Sequence, residues 1–128
     1  MIADSPCNER ITRVGNSTQS FLIEMMKRQH FFLFPSKEPC EGHSNALNEA
    51  MSQGLIPIVS DYHFNRAIVG DDRCVVNDFD SESYVKAIES IVENNQMKEI
   101  SYYVWEHVKN HFSYSRVNKN IVDTIKQL

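Results

Sequence analysis

The chain has 128 residues, 14.8 kDa, 41% hydrophobic and 23% charged residues, and a net charge of −4. That is one domain's worth of protein with enough apolar mass for a core, which excludes a wholly disordered chain. The acidic balance argues against a general nucleic-acid binder, and no stretch approaches the ~20 apolar residues of a membrane helix. The first ten residues, MIADSPCNER, have neither the basic nor the apolar region of a secretory signal. Cys7, Cys40 and Cys74 are far apart and odd in number, with no C-x-x-C pair. They read as reduced thiols and point to the cytoplasm rather than to a zinc ribbon or a redox motif.

Residues 1–9 read as a polar leader. Residues 11–14 (Ile-Thr-Arg-Val) read as a short strand closed by Gly15-Asn16-Ser17. Thr18 or Ser17 then caps a helix to about residue 29, with Phe21, Leu22, Met25 and Met26 on one face. The unbroken run Phe31-Phe32-Leu33-Phe34, stopped by Pro35, reads as a parallel strand buried on both faces. A loop, PSKEPCEGHS, leads into a helix over 45–53 that ends at Gly54. Residues 56–60 form the next strand, residues 62–72 a loop or short helical stretch, and residues 74–76 a third strand. A clear helix opens at Ser81, with Tyr84, Val85, Ile88, Ile91 and Val92 in register. Residues 97–128 read as helical with a break near residues 113–115.

Strands alternating with helices predict a Rossmann-like three-layer α/β domain with a mainly parallel sheet. The expected organisation is a leader over 1–9, a partial Rossmann-like domain over 10–96 and C-terminal helices over 97–128. Right-handed crossovers put the loops after the strands on one edge, where such sheets bind ligands. The loop before the 45–53 helix lies there. Gly42 permits close backbone approach, and the first amides of the helix, at Ser44, Asn45 and Ala46, suit a phosphate. Glu49, about one turn into the helix, falls outside its apolar face. From there its carboxylate can take two hydrogen bonds from a vicinal diol such as a ribose. Glu41, on the loop, can reach sugar hydroxyls beyond the phosphate. The residues alone leave a plainer reading open, in which the acidic groups only favour the helix dipole and the glycine only makes a turn.

The stretch FLFPSKEPCEGHSNALNEAMSQGLIPIVSD resembles the donor-site segment of the retaining GT-B glycosyltransferases of the group 1 or family 4 type. It has Pro35-Ser36, Glu41-Gly42, Asn45, Glu49-Ala50-Met51, Gly54, Pro57 and Asp61 in the family's order, with seven residues between Glu41 and Glu49. RITRVGN upstream and CVVNDFDSESYVKAIESIVEN downstream extend the resemblance over residues 10–95.

The resemblance implies that Glu49 holds the nucleotide ribose and that Glu41 is the catalytic contact to the donor sugar. Gly42, Ser44 and Asn45 would sit by the diphosphate, and Pro35 and Ser36 would line the nucleotide pocket. His43 is a further donor-site contact rather than a general base. The implied reaction moves a sugar from a nucleotide-sugar, with UDP the expected donor nucleotide, to a saccharide or lipid-linked acceptor. No metal or cofactor is expected, because the nucleotide-sugar is a substrate. Bacterial surface-polysaccharide assembly, O-antigen or capsule, is the expected pathway, in the cytoplasm or peripheral at the inner membrane surface.

The sequence departs from the family in three places. The Arg and Lys that clamp the diphosphate come from early strands with no counterpart here. The N-terminal acceptor domain is missing, so the chain corresponds to an incomplete C-terminal half of a GT-B fold and is expected to be inactive alone. After Asp61 stands Tyr62-His63-Phe64-Asn65-Arg66 in place of small residues and a Glu; Asn65 and Arg66 remain candidates to face the donor. Loss of the early strands also bares an edge of the 31–34 strand, which residues 11–14 or a second chain, in a homo-oligomer, would cover. The reading from a different class is a non-catalytic doubly wound module that binds a phosphate or a partner.

Elsewhere, His107 and His111 are four apart on a helix but lack further ligand types, and read as incidental. Residues 98–128 carry a net charge of +2. They read as helices packing back on their own domain, with approach to an anionic membrane surface the lesser reading.

Overall fold

A computed structural model describes residues 4–37, 42–62 and 64–128. The element order is α1 (Gln19–Met26), β1 (Phe31–Phe34), α2 (Asn45–Ser52), β2 (Ile56–Ser60), α3 (Asn65–Val69), β3 (Val75–Val76), α4 (Ser81–Glu93), α5 (Met97–His111) and α6 (Tyr114–Lys126). Three strands form one parallel sheet in the order β1-β2-β3. The α/β class and the parallel sheet predicted from the sequence are present.

Local chemistry explains most boundaries. Thr18 Oγ1 accepts from Phe21 N–H at the start of α1, and Ser44 Oγ accepts from Leu47 N–H at the start of α2. Asp80 accepts from both the backbone N–H and the hydroxyl of Ser83 and so caps α4, which opens at Ser81 as expected. These bonds hold the Asp80 carboxyl below its ordinary range. After α2, Gly54 takes φ 79°, and after α3, Gly70 takes φ 71°, left-handed turns that glycine makes without strain. Helix α5 reaches both turns: Ser101 Oγ donates to the Gly54 carbonyl at 2.6 Å and Tyr103 OH to the Gly70 carbonyl at 2.9 Å.

Every residue of β2 is buried, with α2, α3, α4 and α5 all packed against it. The core joins Leu47 and Met51 of α2, Ile58 and Val59 of β2, and Ile100 and Val104 of α5, each fully buried. Cys74 lies in this core, and burial pushes its thiol up to about 12, so it is protonated at neutral pH.

Three expectations need correction. Residues 11–14 form no strand; the segment is exposed and unpaired, with Ile11 and Val14 each 40% accessible. A strand exists only by pairing, and among the described residues only β1, β2 and β3 pair. For the same reason β1 is not buried on both faces: it is an edge strand, and Leu33 is 50% accessible. Finally, the C-terminal helices do not behave alike. Helix α5 packs on α2 through Ile100, Val104 and Val108, whereas α6 buries none of its residues.

Candidate functional site

The expected site surrounds the loop between β1 and α2. Glu41 lies outside the described residues, as do Cys40 and His63, so the catalytic expectation on Glu41 has no structural counterpart to describe. Pro35 and Ser36 leave the end of β1, and the Ser36 carbonyl accepts from Ser60 Oγ at 2.5 Å. Asn65 Nδ2 in turn donates to the Ser60 carbonyl at 3.1 Å. This chain of polar contacts ties together the carboxyl ends of β1 and β2 and the start of α3. Buried Asn65 thus serves the scaffold.

Ser44 is buried and spends its side-chain oxygen on the cap of α2. The amides of Asn45 and Ala46 stand in the first turn, ahead of any intrahelical acceptor. Among the described residues, a Cβ at Gly42 would meet nothing within 4 Å. Asn45 and Glu49 line one cleft of about 620 Å³ together with Gln19, Trp105, Lys109 and Tyr114. The Glu49 carboxylate accepts from Gln19 Nε2 at 2.7 Å. Lys109 Nζ lies 5.0 Å from the centre of the Trp105 ring in the same cleft.

The other expected residues face elsewhere. His43 Nε2 lies 2.6 Å from Asn48 Nδ2, and the imidazole meets Phe112 edge-on at 4.5 Å. Pro35 lines a separate groove with Leu33 and Phe79. The cations near the sheet edge are engaged. Arg66 donates to Asp61 through Nε and Nη2 and also pairs with Asp72, which draws the Asp61 carboxyl below its ordinary range and raises the guanidinium. Lys37 Nζ sits 4.1 Å from the centre of the Phe79 ring.

The structure therefore brings Asn45 and Glu49 together, spends Ser44 on the helix, and turns His43 and Pro35 to other surfaces. Sequence reasoning missed Gln19 as the partner of Glu49. The two residues are thirty positions apart, and a glutamine beside a helix cap carries no local signal of such a contact. No group of three or more metal-ligating side chains occurs among the described residues, and no described helix is long and apolar enough to cross a membrane.

Comparison with curated proteins and with solved structures returned no match. The family model for glycosyl transferases group 1 matches residues 2–104, which takes in the sheet, the β1–α2 loop and most of α5 and leaves α6 outside. With four fifths of its length covered, and with the parallel sheet and β1–α2 segment in the order described above, the chain belongs to the glycosyl transferases group 1 family.

Proposed function

We propose that this chain is the donor-binding part of a retaining glycosyltransferase that takes a nucleotide-sugar, with UDP as the nucleotide. The observation that carries the reading is the cleft shared by Asn45, at the start of α2, and Glu49, one turn further on. A helix start offers unpaired amides and partial positive charge to a diphosphate. A carboxylate one turn away offers two acceptor oxygens to the ribose diol, sharing or displacing the bond that Gln19 now makes. Glu41 would meet the donor sugar, and a saccharide or lipid-linked acceptor would come from the partner half of a GT-B enzyme. Bacterial surface-polysaccharide assembly, O-antigen or capsule, at the cytoplasmic side of the inner membrane fits such a reaction. The chemistry calls for no resident metal if protein dipoles stabilise the leaving diphosphate.

One observation favours a second reading, a non-catalytic phosphate- or partner-binding module. Arg66 is held between two carboxylates and Lys37 is folded over Phe79, so neither stands ready for a diphosphate. An NMR or calorimetric titration with UDP, GDP and ADP, repeated on Glu49→Ala, separates the two. Donor binding predicts that UDP binds in the micromolar to millimolar range and that Glu49→Ala weakens it about tenfold or more, the worth of a charge-assisted hydrogen bond. A folded protein that binds none of the three nucleotides, or binds them equally well without Glu49, gives the module reading the stronger claim.

A further inference from the structure

We propose that Lys109, in the last turn of α5, is the cation that meets the diphosphate of a nucleotide donor in the Asn45–Glu49 cleft. This rests on the donor-binding reading above. It adds to that reading a residue that lies beyond residues 2–104, the part of the chain that matches the family.

The packing of two helices puts Lys109 there. α2 and α5 run antiparallel. Ser101, near the start of α5, bonds the Gly54 carbonyl that follows α2. Phe112, just past the end of α5, meets the ring of His43, which precedes α2. The start of α2 and the end of α5 therefore lie side by side, and both line the cleft of about 620 Å³. Their fields oppose each other: a helix start carries partial positive charge and a helix end partial negative charge. An anion drawn to the first amides of α2 is repelled by the neighbouring end of α5 unless a cation stands on that end. Lys109 is the cation that stands there.

The state of Lys109 without a ligand fits this role. Arg66, Arg73, Lys27 and Lys86 are each paired with a carboxylate. Lys109 is exposed and forms no ion pair among the described residues. Its Nζ rests 5.0 Å from the centre of the Trp105 ring, a contact weaker than a charge-assisted hydrogen bond to a phosphate oxygen. The long flexible stem lets the ammonium swing from the ring to an anion while the helix stays in place. The charged residues lining the cleft are Glu49 and Lys109. A nucleoside diphosphate matches that pair, with diol donors for the carboxylate and anionic oxygens for the ammonium. Glu49 alone would repel the diphosphate, and Lys109 offsets its charge.

A basic residue in a last turn also stabilises its own helix, a role that needs no ligand. Titration of the full chain with UDP separates the two roles, read by calorimetry and by the emission of Trp105, the one tryptophan of the chain. Lys109→Gln is expected to weaken UDP binding about tenfold, the worth of a charge-assisted hydrogen bond, and to flatten the dependence of affinity on salt. Lys109→Arg should restore most of the affinity, and both variants should keep the circular dichroism of the unsubstituted chain. UDP that binds Lys109→Gln as tightly as the unsubstituted chain, while Glu49→Ala loses it, overturns the assignment and leaves the donor site standing. Weakened binding with an unchanged salt dependence also overturns it and makes Lys109 a structural residue of α5. A folded, unsubstituted chain that binds no UDP overturns the donor site and the assignment together.

Discussion

β1 and β2 are hydrogen-bonded neighbours of four and five residues, both almost wholly apolar, yet their surroundings are opposite. β2 is buried at every position beneath helices that both precede and follow it in the chain, while β1 leaves Leu33 half accessible and, among the described residues, has a neighbouring strand on one side only. A strand's composition permits burial; the elements beside it decide whether burial happens. The same contrast divides the molecule. The side holding β2, α3, β3 and α5 is locked by hydroxyl-to-carbonyl bonds, and the side holding α1, β1 and the segment before them faces solvent.

Truncating the two strands measures that contrast directly. Ile58→Ala empties a fully buried site in β2 and should cost about 2–5 kcal/mol by chemical denaturation. Leu33→Ala in β1 should cost under about 1 kcal/mol, because half of that side chain is already in water. Equal losses would break the comparison and mean that the edge of β1 is covered in solution.

Gly70 is the next point to press, on the locked side. Its φ of 71° is unfavourable for any residue with a Cβ, and a Cβ there would come within 2.8 Å of the His107 ring. Gly70→Ala should therefore cost about 2 kcal/mol in unfolding free energy. A loss of only a few tenths would show that α5 yields at its seam with α3.

Helix caps and turn glycines were legible in the sequence because their physics is local. Thr18, Ser44 and Gly54 act within three or four residues of themselves; the structure uses Thr18 and Gly54 as expected and makes Ser44, expected beside the diphosphate, the cap of α2. β1 and residues 11–14 were misjudged because a strand depends on what lies beside it, which composition does not record. Helix α6 was misjudged in the same way: Ile121 and Ile125 mark a helical apolar face, but nothing in their spacing says whether the domain covers it. In the candidate site, Asn45 and Glu49 could be placed by helix geometry alone. The contacts Gln19–Glu49 and Ser36–Ser60 could not, since they close over thirty and twenty-four residues.

Ser44 and Glu49 let the scaffold be separated from the site. Ser44→Ala removes the cap of α2 and should cost about 1 kcal/mol of stability. Glu49→Ala loses one contact to an exposed glutamine and should change stability by no more than about 0.5 kcal/mol. Thermal unfolding of the two variants beside nucleotide titrations distinguishes a residue that builds the helix from one that meets a ligand. A Glu49→Ala variant as unstable as Ser44→Ala would make Glu49 a structural residue.

The smallest expected effect is a pH dependence at the seam between α3 and α5. His107 packs against the Gly70 turn and over Tyr103, with His111 at 4.7 Å and Phe112 edge-on. Burial lowers its pKa below 6.5, and His111 lowers it further, while the carbonyls of Ala67 and Ile68 act in the opposite sense. A histidine harder to protonate when folded makes the unfolded chain the better proton acceptor as pH falls. Its contribution is complete above pH 6.5 and is lost as pH drops through 6.5 toward the folded value. Asp61, Asp71 and Asp80, all lowered from 3.8, titrate below this window and do not add to it. The melting temperature should therefore fall between about pH 7.5 and pH 5.5, and His107→Gln should flatten that slope. A slope unchanged by His107→Gln would place the pH response at another group and leave the α3–α5 seam insensitive to protonation.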